Sequence, residues 1–328
     1  MSSFCLKIDR TGIPHEVIQL APHELPALGP HDVRIRLRYA PVNPADLNFI
    51  EGTYGRAAHP PCIPGHEASG TVEAIGSSVQ SLAVGDAVIP LIGAGCWSQQ
   101  MVAEEQFFAR LPAGLDPVQT AMLRINPVTA WLLLREFADL SEGDWVAQNA
   151  GNSAVGQAIV QIAAQRGLRT LSFVRREEAI EPLRQLGATA VFLDDAAGLA
   201  AAKEHLGDAH LQLGLNAVGG DSAIRLMDLL SPGATMVTYG AMSRRSLKVP
   251  NRFLIFKNLQ LKGLWVSRWL EHAGPGALYE VLEPLTEMLM NQQLRLPVEK
   301  IYPMSEAAEA LRHAAESGRE GKILLDLA

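Results

Sequence analysis

Hydrophobic and polar positions follow different periods in successive parts of the chain. Residues 32–39 alternate apolar and basic side chains with a period of two, which predicts a half-buried strand. Further short extended segments follow at 70–75, 85–90 and 97–108, with turn residues between them. Short strands separated by turns favour a small barrel over an open sheet, so this first part predicts a β-rich domain.

The pattern changes near Pro117, where strands and helices begin to alternate. The sequence predicts helices at 127–137, 157–165, 177–186 and 221–230. It predicts strands beginning at 145 and at 169–174, 190–193, 211–216, 234–239 and 259–266. This alternation is typical of a doubly wound parallel sheet. The C-terminal part returns to a mixed pattern, with helices predicted at 277–291 and 305–317 and a strand at 322–327.

Length, composition and charge narrow the function classes. The 328 residues favour two domains, and a hydrophobic content of 48% is ample for buried cores. The formal net charge of −7 argues against nucleic acid as a main partner, because phosphate neutralisation needs clustered Lys and Arg. No run of 18 apolar residues is present, so no membrane span is predicted. The three cysteines are scattered, and residues 1–7 lack a signal core or Arg-rich presequence, which favours a reducing, cytoplasmic setting.

The strand beginning at Trp145 runs into the next helix through small residues at 149–156. Such a turn can bring backbone N–H groups and the positive end of a helix dipole against a diphosphate. The dinucleotide fingerprint G-x-G-x-x-G is partly matched, since Gly151 and Gly156 flank Ser153 where a second glycine is expected. Taken alone, the stretch fits an ordinary strand-to-helix turn as well.

The strand at 169–174 is followed by Arg175 and Arg176, where dinucleotide-binding domains discriminate between cofactors. An acidic residue there binds the ribose 2′-OH of NAD, whereas an arginine accommodates the 2′-phosphate of NADP. Arg175 lies at the expected distance after Gly151, and no acid occupies its place. Because a guanidinium can bind a phosphate bidentately, the pattern predicts NADPH as the cofactor. The alternative is a solvated pair of charges after a strand.

The chain resembles the medium-chain dehydrogenase/reductase superfamily and, within it, the mitochondrial-type 2-enoyl thioester reductases. The stretches that carry the resemblance are 43–55 (NPADLNFIEGTYG), 126–130 (NPVTA), 148–157 (QNAGNSAVGQ), 216–220 (NAVGG), 236–242 (MVTYGAM) and 264–267 (LWVS). The resemblance covers essentially the whole chain and implies an α/β fold. A GroES-like β-barrel catalytic domain is expected at 1–122 and 268–328, around a doubly wound Rossmann domain at 123–267.

The resemblance implies NADPH-dependent reduction of the trans-2 double bond of an enoyl group held as a CoA or acyl-carrier thioester. Hydride goes to the β-carbon, and the charge that develops on the thioester oxygen needs hydrogen-bond donors. The family protonates the α-carbon with a tyrosine, and Tyr54 is at the matching position. A phenol stays protonated at neutral pH and can donate directly or through a water, although a packed loop aromatic is the alternative. Asn43 precedes the same loop, where it could bond the substrate or a catalytic water.

The resemblance also implies cofactor and substrate contacts. Thr129 matches a threonine close to the nicotinamide, with helix capping as the alternative. Trp265 matches a position lining the acyl pocket, and Asn126 is assigned to the same pocket. The predicted cofactor contacts are Thr129, Asn152, Ser153, Ala154, Val155, Gly156, Arg175, Arg176, Tyr239, Ala241, Met242, Leu264, Trp265 and Lys322.

Residues 65–67 (GHE) invite a zinc interpretation, because zinc alcohol dehydrogenases of this superfamily have a histidine in such a motif. A catalytic zinc needs about three protein ligands. The superfamily's cysteine positions hold Asn43 and Ile125 here, and three cysteines cannot build a four-cysteine structural zinc lobe. We therefore expect no metal. His66 departs from the enoyl reductases, which usually have another residue there, and we expect a structural or pocket role for it.

Two other functions fit parts of the sequence. An NADPH:quinone oxidoreductase of the same superfamily would share the cofactor site and the absence of zinc. A cofactor-binding protein without catalysis would act through partners, and a basic surface patch would favour nucleic acid among them. The main hypothesis is the enoyl thioester reductase, with a small acyl thioester as substrate and no nucleic-acid or membrane partner.

The last predicted Rossmann strand, at 259–266, favours a homodimer. The segment is apolar enough to pair with its copy across a sheet edge, as the family does. An exposed strand of this kind is otherwise an aggregation liability.

Overall fold

The computed structural model describes residues 3–91 and 93–328. Met1 and Ser2, at the start of the N-terminal segment considered above, lie outside the described residues, as does Ile92. The chain folds into two compact units, one formed by Met1–Ile125 with Pro275–Ala328 and the other by Asn126–Gly274. The predicted Rossmann domain spans 123–267, and the second unit holds the alternating strands and helices.

The N-terminal part of the first unit is built from short strands. Its strands are β1 (Ser3–Ile8), β2 (Ile18–His23), β3 (Asp32–Pro41), β4 (Ser69–Ile75), β5 (Ala87–Pro90), β6 (Gln100–Glu104) and β7 (Phe108–Arg110). Its helices are α1 (Pro14–Val17), α2 (Pro44–Glu51) and α3 (Pro117–Thr120). Helix α2 begins with a proline, whose fixed φ suits the first helical turn, and ends at Gly52 with a φ of 79°.

The second unit alternates helices and strands. Its helices are α4 (Asn126–Arg135), α5 (Ala154–Gln165), α6 (Ile180–Gln185), α7 (Ala196–Leu206), α8 (Gly220–Leu229), α9 (Asn251–Ile255) and α10 (Val266–His272). Its strands are β8 (Trp145–Gln148), β9 (Arg169–Val174), β10 (Ala190–Leu193), β11 (Leu211–Asn216), β12 (Thr235–Thr238) and β13 (Gln260–Gly263). The remainder of the first unit contains α11 (Gly274–Met290), β14 (Val298–Pro303), α12 (Ala307–Ala315) and β15 (Lys322–Asp326).

The strands of the second unit form one parallel sheet in the order β10-β9-β8-β11-β12-β13. Chain order reverses between β8 and β11, and ligands of doubly wound sheets bind outside the carboxyl ends of the strands at such a point. Helix α5, which follows β8, is fully buried along Ile159, Val160 and Ile162. The predicted α/β class and Rossmann topology are confirmed.

The first unit contains a mixed sheet in the order β14-β15-β3-β4-β5-β7, to which β6 adds by pairing with β3. The terminal strand β15 pairs antiparallel with β3, so Leu325 lies opposite Ala40. This pairing carries the C-terminal segment back beside the N-terminal strands. The predicted alternation at 32–39 is borne out, since Val33, Ile35 and Leu37 are buried.

Two predicted strands were too long. The segment 97–108 is interrupted by a 3-10 turn at Glu105–Phe107, where the Glu105 carboxylate accepts hydrogen bonds from the backbone N–H groups of Gln80 and Ser81. The segment 259–266 leaves the sheet after Gly263, and Val266 begins α10.

Among the helices in residues 3–91 and 93–328, none combines the length and the apolar character that a membrane span requires.

Candidate active site

Tyr54 lies on the loop that follows α2, and the ends of this helix fix where the loop starts. The backbone N–H of Asn43 donates to Asp46 Oδ2 at 2.7 Å, which closes the first turn. At the other end the N–H groups of Thr53 and Tyr54 both donate to the carbonyl of Asn48. Tyr54 is half-buried. These hydrogen bonds fix the backbone at Tyr54, while its half-buried side chain remains partly accessible.

His66 packs against Tyr54. The two ring centroids lie 5.3 Å apart with planes at 70°, an edge-to-face contact. Asp46 Oδ1 accepts from the backbone N–H of His66 at 3.0 Å and lies 2.5 Å from its Nδ1. Gly65 allows this placement, because a Cβ there would lie 2.4 Å from the ring of Trp97. The structural or pocket role expected for His66 therefore has a defined form, an aromatic contact braced by a buried carboxylate.

Asn43 sits in a buried network with two charged groups. Its Nδ2 donates to Glu67 Oε1 at 2.8 Å, and its Oδ1 accepts from Lys322 Nζ at 2.5 Å. Glu67 Oε2 accepts from the backbone N–H of Ile125 at 2.8 Å. Asn43 is only 2% exposed, so it contacts these two side chains rather than bulk water. The structure brings Asn43 and Lys322 together, which the sequence did not predict, because 278 residues separate them along the chain.

Burial dominates the electrostatics of this network. It raises the pKa of Glu67 to about 7, although the Asn43 hydrogen bond, Lys322, the Ile125 N–H and Arg124 all favour the carboxylate. It lowers the pKa of Lys322 to about 8 against the attraction of Glu67 and Asp46. Arg124, also buried, donates to the carbonyls of His66 and Leu91. The cluster is thus a buried set of titratable side chains fixed by hydrogen bonds.

The stability of the protein is expected to depend on the proton of Glu67. Its pKa rises from 4.5 to about 7 on folding, so the folded state binds a proton that the unfolded chain has released. This contribution is complete below the unfolded pKa and is lost as pH rises through the folded pKa, a window in which Lys322 stays protonated. The Tm of the wild type, relative to that of Glu67→Gln, should therefore fall between about pH 5 and pH 7.

Scanning calorimetry of both proteins across that range measures the difference. Glu280→Gln, on the exposed side of α11, is the control and should track the wild type. A difference between wild type and Glu67→Gln that stays constant with pH would contradict the protonation of Glu67 in the folded state.

In the second unit, the predicted diphosphate turn follows β8. Ser153 caps α5, and its Oγ accepts from the backbone N–H of Gly156 at 3.1 Å. A Cβ on Gly156 would lie 2.5 Å from the carbonyl oxygen of Gly151, so the turn closes only with glycine there. Asn152, Ala154 and Val155 are part-exposed around this helix end. The N-terminus of α5 thus offers backbone N–H groups and a positive dipole end to an anion.

The hydroxyl of Tyr239 is buried beside Ser153 and makes no regular hydrogen bond to any described residue. Burial raises the pKa of Tyr239, which Ser153 partly offsets, so the hydroxyl stays protonated. A phosphate seated at the turn would offer this hydroxyl an acceptor of regular geometry. The residues present therefore fit a dinucleotide diphosphate.

Arg175 and Arg176 directly follow β9, and both are exposed at the carboxyl end of the sheet. This is where the 2′-phosphate of NADP is met in doubly wound sheets. Ala241 and Met242 lie exposed on the loop after β12, whose backbone is tied to the β11 loop by the Met242 N–H donating to Ala217 O at 2.9 Å.

Asn126 and Thr129 both lie in α4, where both are buried. Thr129 is one turn inside the helix, so the helix-capping alternative does not apply to it. Leu264 and Trp265 follow β13, and Trp265 directly precedes the first residue of α10.

An open cavity of about 570 Å³ lies at the carboxyl ends of β12 and β13. It is lined by Thr238, Gly263, Leu264, Trp265, Arg268, Trp269 and His272. Leu264 and Trp265, predicted as cofactor and acyl-pocket residues, are thus brought together in one cavity. Two indole rings give it an apolar wall, and Arg268 and His272 add polar groups.

The prediction missed an asparagine pair at the switch point of the sheet. Asn149 Nδ2 donates to Asn216 Oδ1 and to Ser222 Oγ, both at 2.8 Å, and Asn149 Oδ1 accepts from Ala217 N at 2.7 Å. Asn216 Nδ2 continues to Thr238 Oγ1 at 3.1 Å. The network ties the loops after β8, β11 and β12. One sequence signal was available: an asparagine ends or follows each of two parallel strands.

Metal ligands are not grouped in the part of the chain that the structure describes, where no three His, Cys, Asp or Glu side chains are placed to hold an ion. At the two superfamily cysteine positions, the Asn43 side chain binds Glu67 and Lys322, and the backbone N–H of Ile125 donates to Glu67. The absence of a metal stays a prediction.

Family models match both parts of the chain. The model described as an alcohol dehydrogenase GroES-like domain matches residues 29–113, and the one described as a zinc-binding dehydrogenase matches residues 154–285. These matches fall on the β-rich segment and on the alternating segment respectively.

Known proteins resemble the chain over most of its length. It is 38% identical to the mitochondrial enoyl-[acyl-carrier-protein] reductase of Rattus norvegicus over 306 residues, which cover 92% of this chain and 82% of the relative. A solved Etr1p/NADP/crotonyl-CoA complex matches with a TM-score of 0.91 and 26% identity, covering 99% of this chain and 100% of that one. A putative NADPH:quinone reductase from Bacillus thuringiensis also matches with a TM-score of 0.91 and 26% identity, covering 99% of each chain.

Proposed function

The chain belongs to the medium-chain dehydrogenase/reductase superfamily, among the mitochondrial-type enoyl reductases, and we propose that it reduces the trans-2 double bond of 2-enoyl thioesters with NADPH. The observation that carries the proposal is the similarity to an enoyl-[acyl-carrier-protein] reductase across nine-tenths of the chain. Tyr54, half-buried and braced by His66, supplies the hydroxyl that the chemistry needs.

The cofactor is held by the second unit. The N-terminus of α5 would receive the diphosphate, and the buried Tyr239 hydroxyl would donate to it. Arg175 and Arg176 receive the 2′-phosphate through charge-assisted hydrogen bonds. When bound, NADPH supplies the hydride that adds to the β-carbon of the substrate.

Tyr54 completes the reduction. Addition at the β-carbon leaves negative charge over the α-carbon and the thioester oxygen, and the α-carbon must gain a proton. The Tyr54 hydroxyl donates that proton, directly or through a water, and takes one back from solvent. Asn43 is a positioning residue here, because its side chain bonds to Glu67 and Lys322 at the start of the helix that leads into the Tyr54 loop. Trp265 lines the acyl site within the cavity at β13.

A quinone reductase is the second candidate, and the similarity to the putative NADPH:quinone reductase supports it. A quinone accepts hydride without a proton donor placed for an α-carbon, so it makes no use of Tyr54. Rates of NADPH oxidation with crotonyl-CoA and with benzoquinone, measured side by side, discriminate the two. We expect turnover with crotonyl-CoA. Turnover with benzoquinone and none with crotonyl-CoA would contradict the proposed enoyl thioester reductase activity.

We propose a homodimer that forms across the edge of the parallel sheet. Strand β13 is one of the two edge strands of this sheet, and all four of its residues are exposed. The preceding helix α9 ends at Ile255, and Ile255 and the following Phe256 are 68% and 79% exposed. An uncovered edge strand beside large exposed apolar side chains is typical of a surface that another chain covers.

The predicted cytoplasmic location rests on the sequence alone.

Phe256→Glu is expected to convert the dimer to monomer, because the carboxylate would be buried without a partner in the interface. Light scattering measures the mass in solution. Phe107→Glu, at another exposed phenylalanine in the first unit, is the control and should leave the dimer intact. A wild-type protein with the mass of one chain would contradict the proposed homodimer.

A further inference from the structure

His66 is a buried titratable group that the proposed reaction does not use. It is 3% exposed, and its ring packs edge-on against Tyr54 and also against Phe49, whose centroid lies 5.6 Å away. Its Nε2 is buried and has no hydrogen-bond partner among the described residues. Leaving a polar nitrogen unpaired in an interior costs free energy. A residue kept for packing alone would be expected to avoid that cost.

Asp46 determines how the ring is held. Its Oδ1 lies 2.5 Å from His66 Nδ1 and also accepts from the His66 backbone N–H. Because a carboxylate only accepts, Nδ1 carries the hydrogen of this pair. The second oxygen of Asp46 caps α2 through the N–H of Asn43. One buried carboxylate therefore fixes both the helix that leads into the Tyr54 loop and the imidazole that the Tyr54 ring meets.

We propose that His66, oriented by Asp46, is a positioning residue for Tyr54 in the proton-transfer step. The edge-to-face contact with the imidazole holds the phenol ring in one orientation, so that the hydroxyl is presented to the α-carbon. This role rests on the proposed enoyl reductase function. It requires the ring of His66, whereas the Asp46 hydrogen bond alone can be kept by an amide.

His66→Asn separates the two contributions. Asparagine retains an N–H donor for Asp46 but removes the ring that contacts Tyr54. Because misplacement of a catalytic group lowers the chemical step rather than cofactor binding, kcat for crotonyl-CoA should fall about tenfold with the KM for NADPH unchanged. His205→Asn is the matched control. His205 is an exposed histidine that makes edge-to-face contacts with Trp145 and Phe192, and kcat should be unaltered.

A double-mutant cycle with Tyr54→Phe tests that His66 acts through Tyr54. The phenylalanine keeps the ring and removes the hydroxyl, so in that background His66→Asn should change the residual kcat less than twofold. An equal loss of kcat in both backgrounds would overturn the inference, as would an unchanged kcat in His66→Asn alone. If His66→Asn does not fold, His66→Gln is carried through the same cycle. A wild-type protein that fails to reduce crotonyl-CoA refutes the proposed function instead, so the two failures are distinguishable.

Discussion

Replacing Tyr54 by phenylalanine should lower kcat for crotonyl-CoA reduction by about a hundredfold or more, the usual contribution of a positioned proton donor. The change removes one oxygen and leaves the ring that packs against His66. The KM for NADPH should stay constant, since the loss concerns the chemical step. Steady-state rates at saturating NADPH measure the effect.

Tyr279→Phe provides the matched control, because Tyr279 lies on α11 with its side chain 46% exposed. Its kcat should equal that of the wild type. A Tyr54→Phe enzyme that reduces crotonyl-CoA at the normal rate would remove Tyr54 from the proton transfer. A loss of benzoquinone reduction to the same extent would instead indicate a general defect in hydride transfer.

Arg175→Glu should raise the KM for NADPH by about a hundredfold, because a charge-assisted hydrogen bond is lost and a carboxylate meets a phosphate. The KM for NADH should not rise, since a carboxylate after this strand accepts from the free ribose 2′-OH. Arg175 is exposed and follows β9, so the substitution should not disturb folding. The ratio of kcat/KM for the two cofactors is the measurement.

Arg184→Glu is the control for nonspecific charge effects. Arg184 is an exposed arginine on α6, in the same unit, and its substitution should leave the cofactor preference as it was. An unchanged preference in Arg175→Glu would assign the 2′-phosphate to other residues and would contradict the cofactor interpretation of the arginine pair.

Local sequence patterns predicted all six strands of the Rossmann unit and four of its helices, whereas α7, α9 and α10 were not predicted. The turn after β8 could be identified from Gly151 and Gly156, since close backbone approach there admits no Cβ on Gly156. The end of β13 could not be predicted. Leu264, Trp265 and Val266 continue the apolar run, and nothing in that run marks where the chain leaves the sheet for α10.

Local sequence patterns could not predict which buried polar side chains are hydrogen-bonded to each other. His66 and Glu67 were visible as a motif, but Asp46 lies 20 residues before His66, and Lys322 is joined to Asn43 only by the pairing of β15 with β3. Such partners depend on tertiary topology. The Asn149–Asn216 pair was hidden for the same reason, since each asparagine looks like an ordinary residue at a strand end.

The positions of the two added hydrogens in the product show whether the enzyme reduces the double bond by hydride addition at the β-carbon and protonation at the α-carbon. Crotonyl-CoA is incubated with NADPH in D₂O, and separately with NADPH deuterated at the transferred position in H₂O, and the butyryl-CoA formed is analysed by mass spectrometry and NMR. We expect one solvent deuterium at the α-carbon in the first reaction and one cofactor deuterium at the β-carbon in the second. Failure to form butyryl-CoA, or deuterium at the opposite carbons, would contradict it.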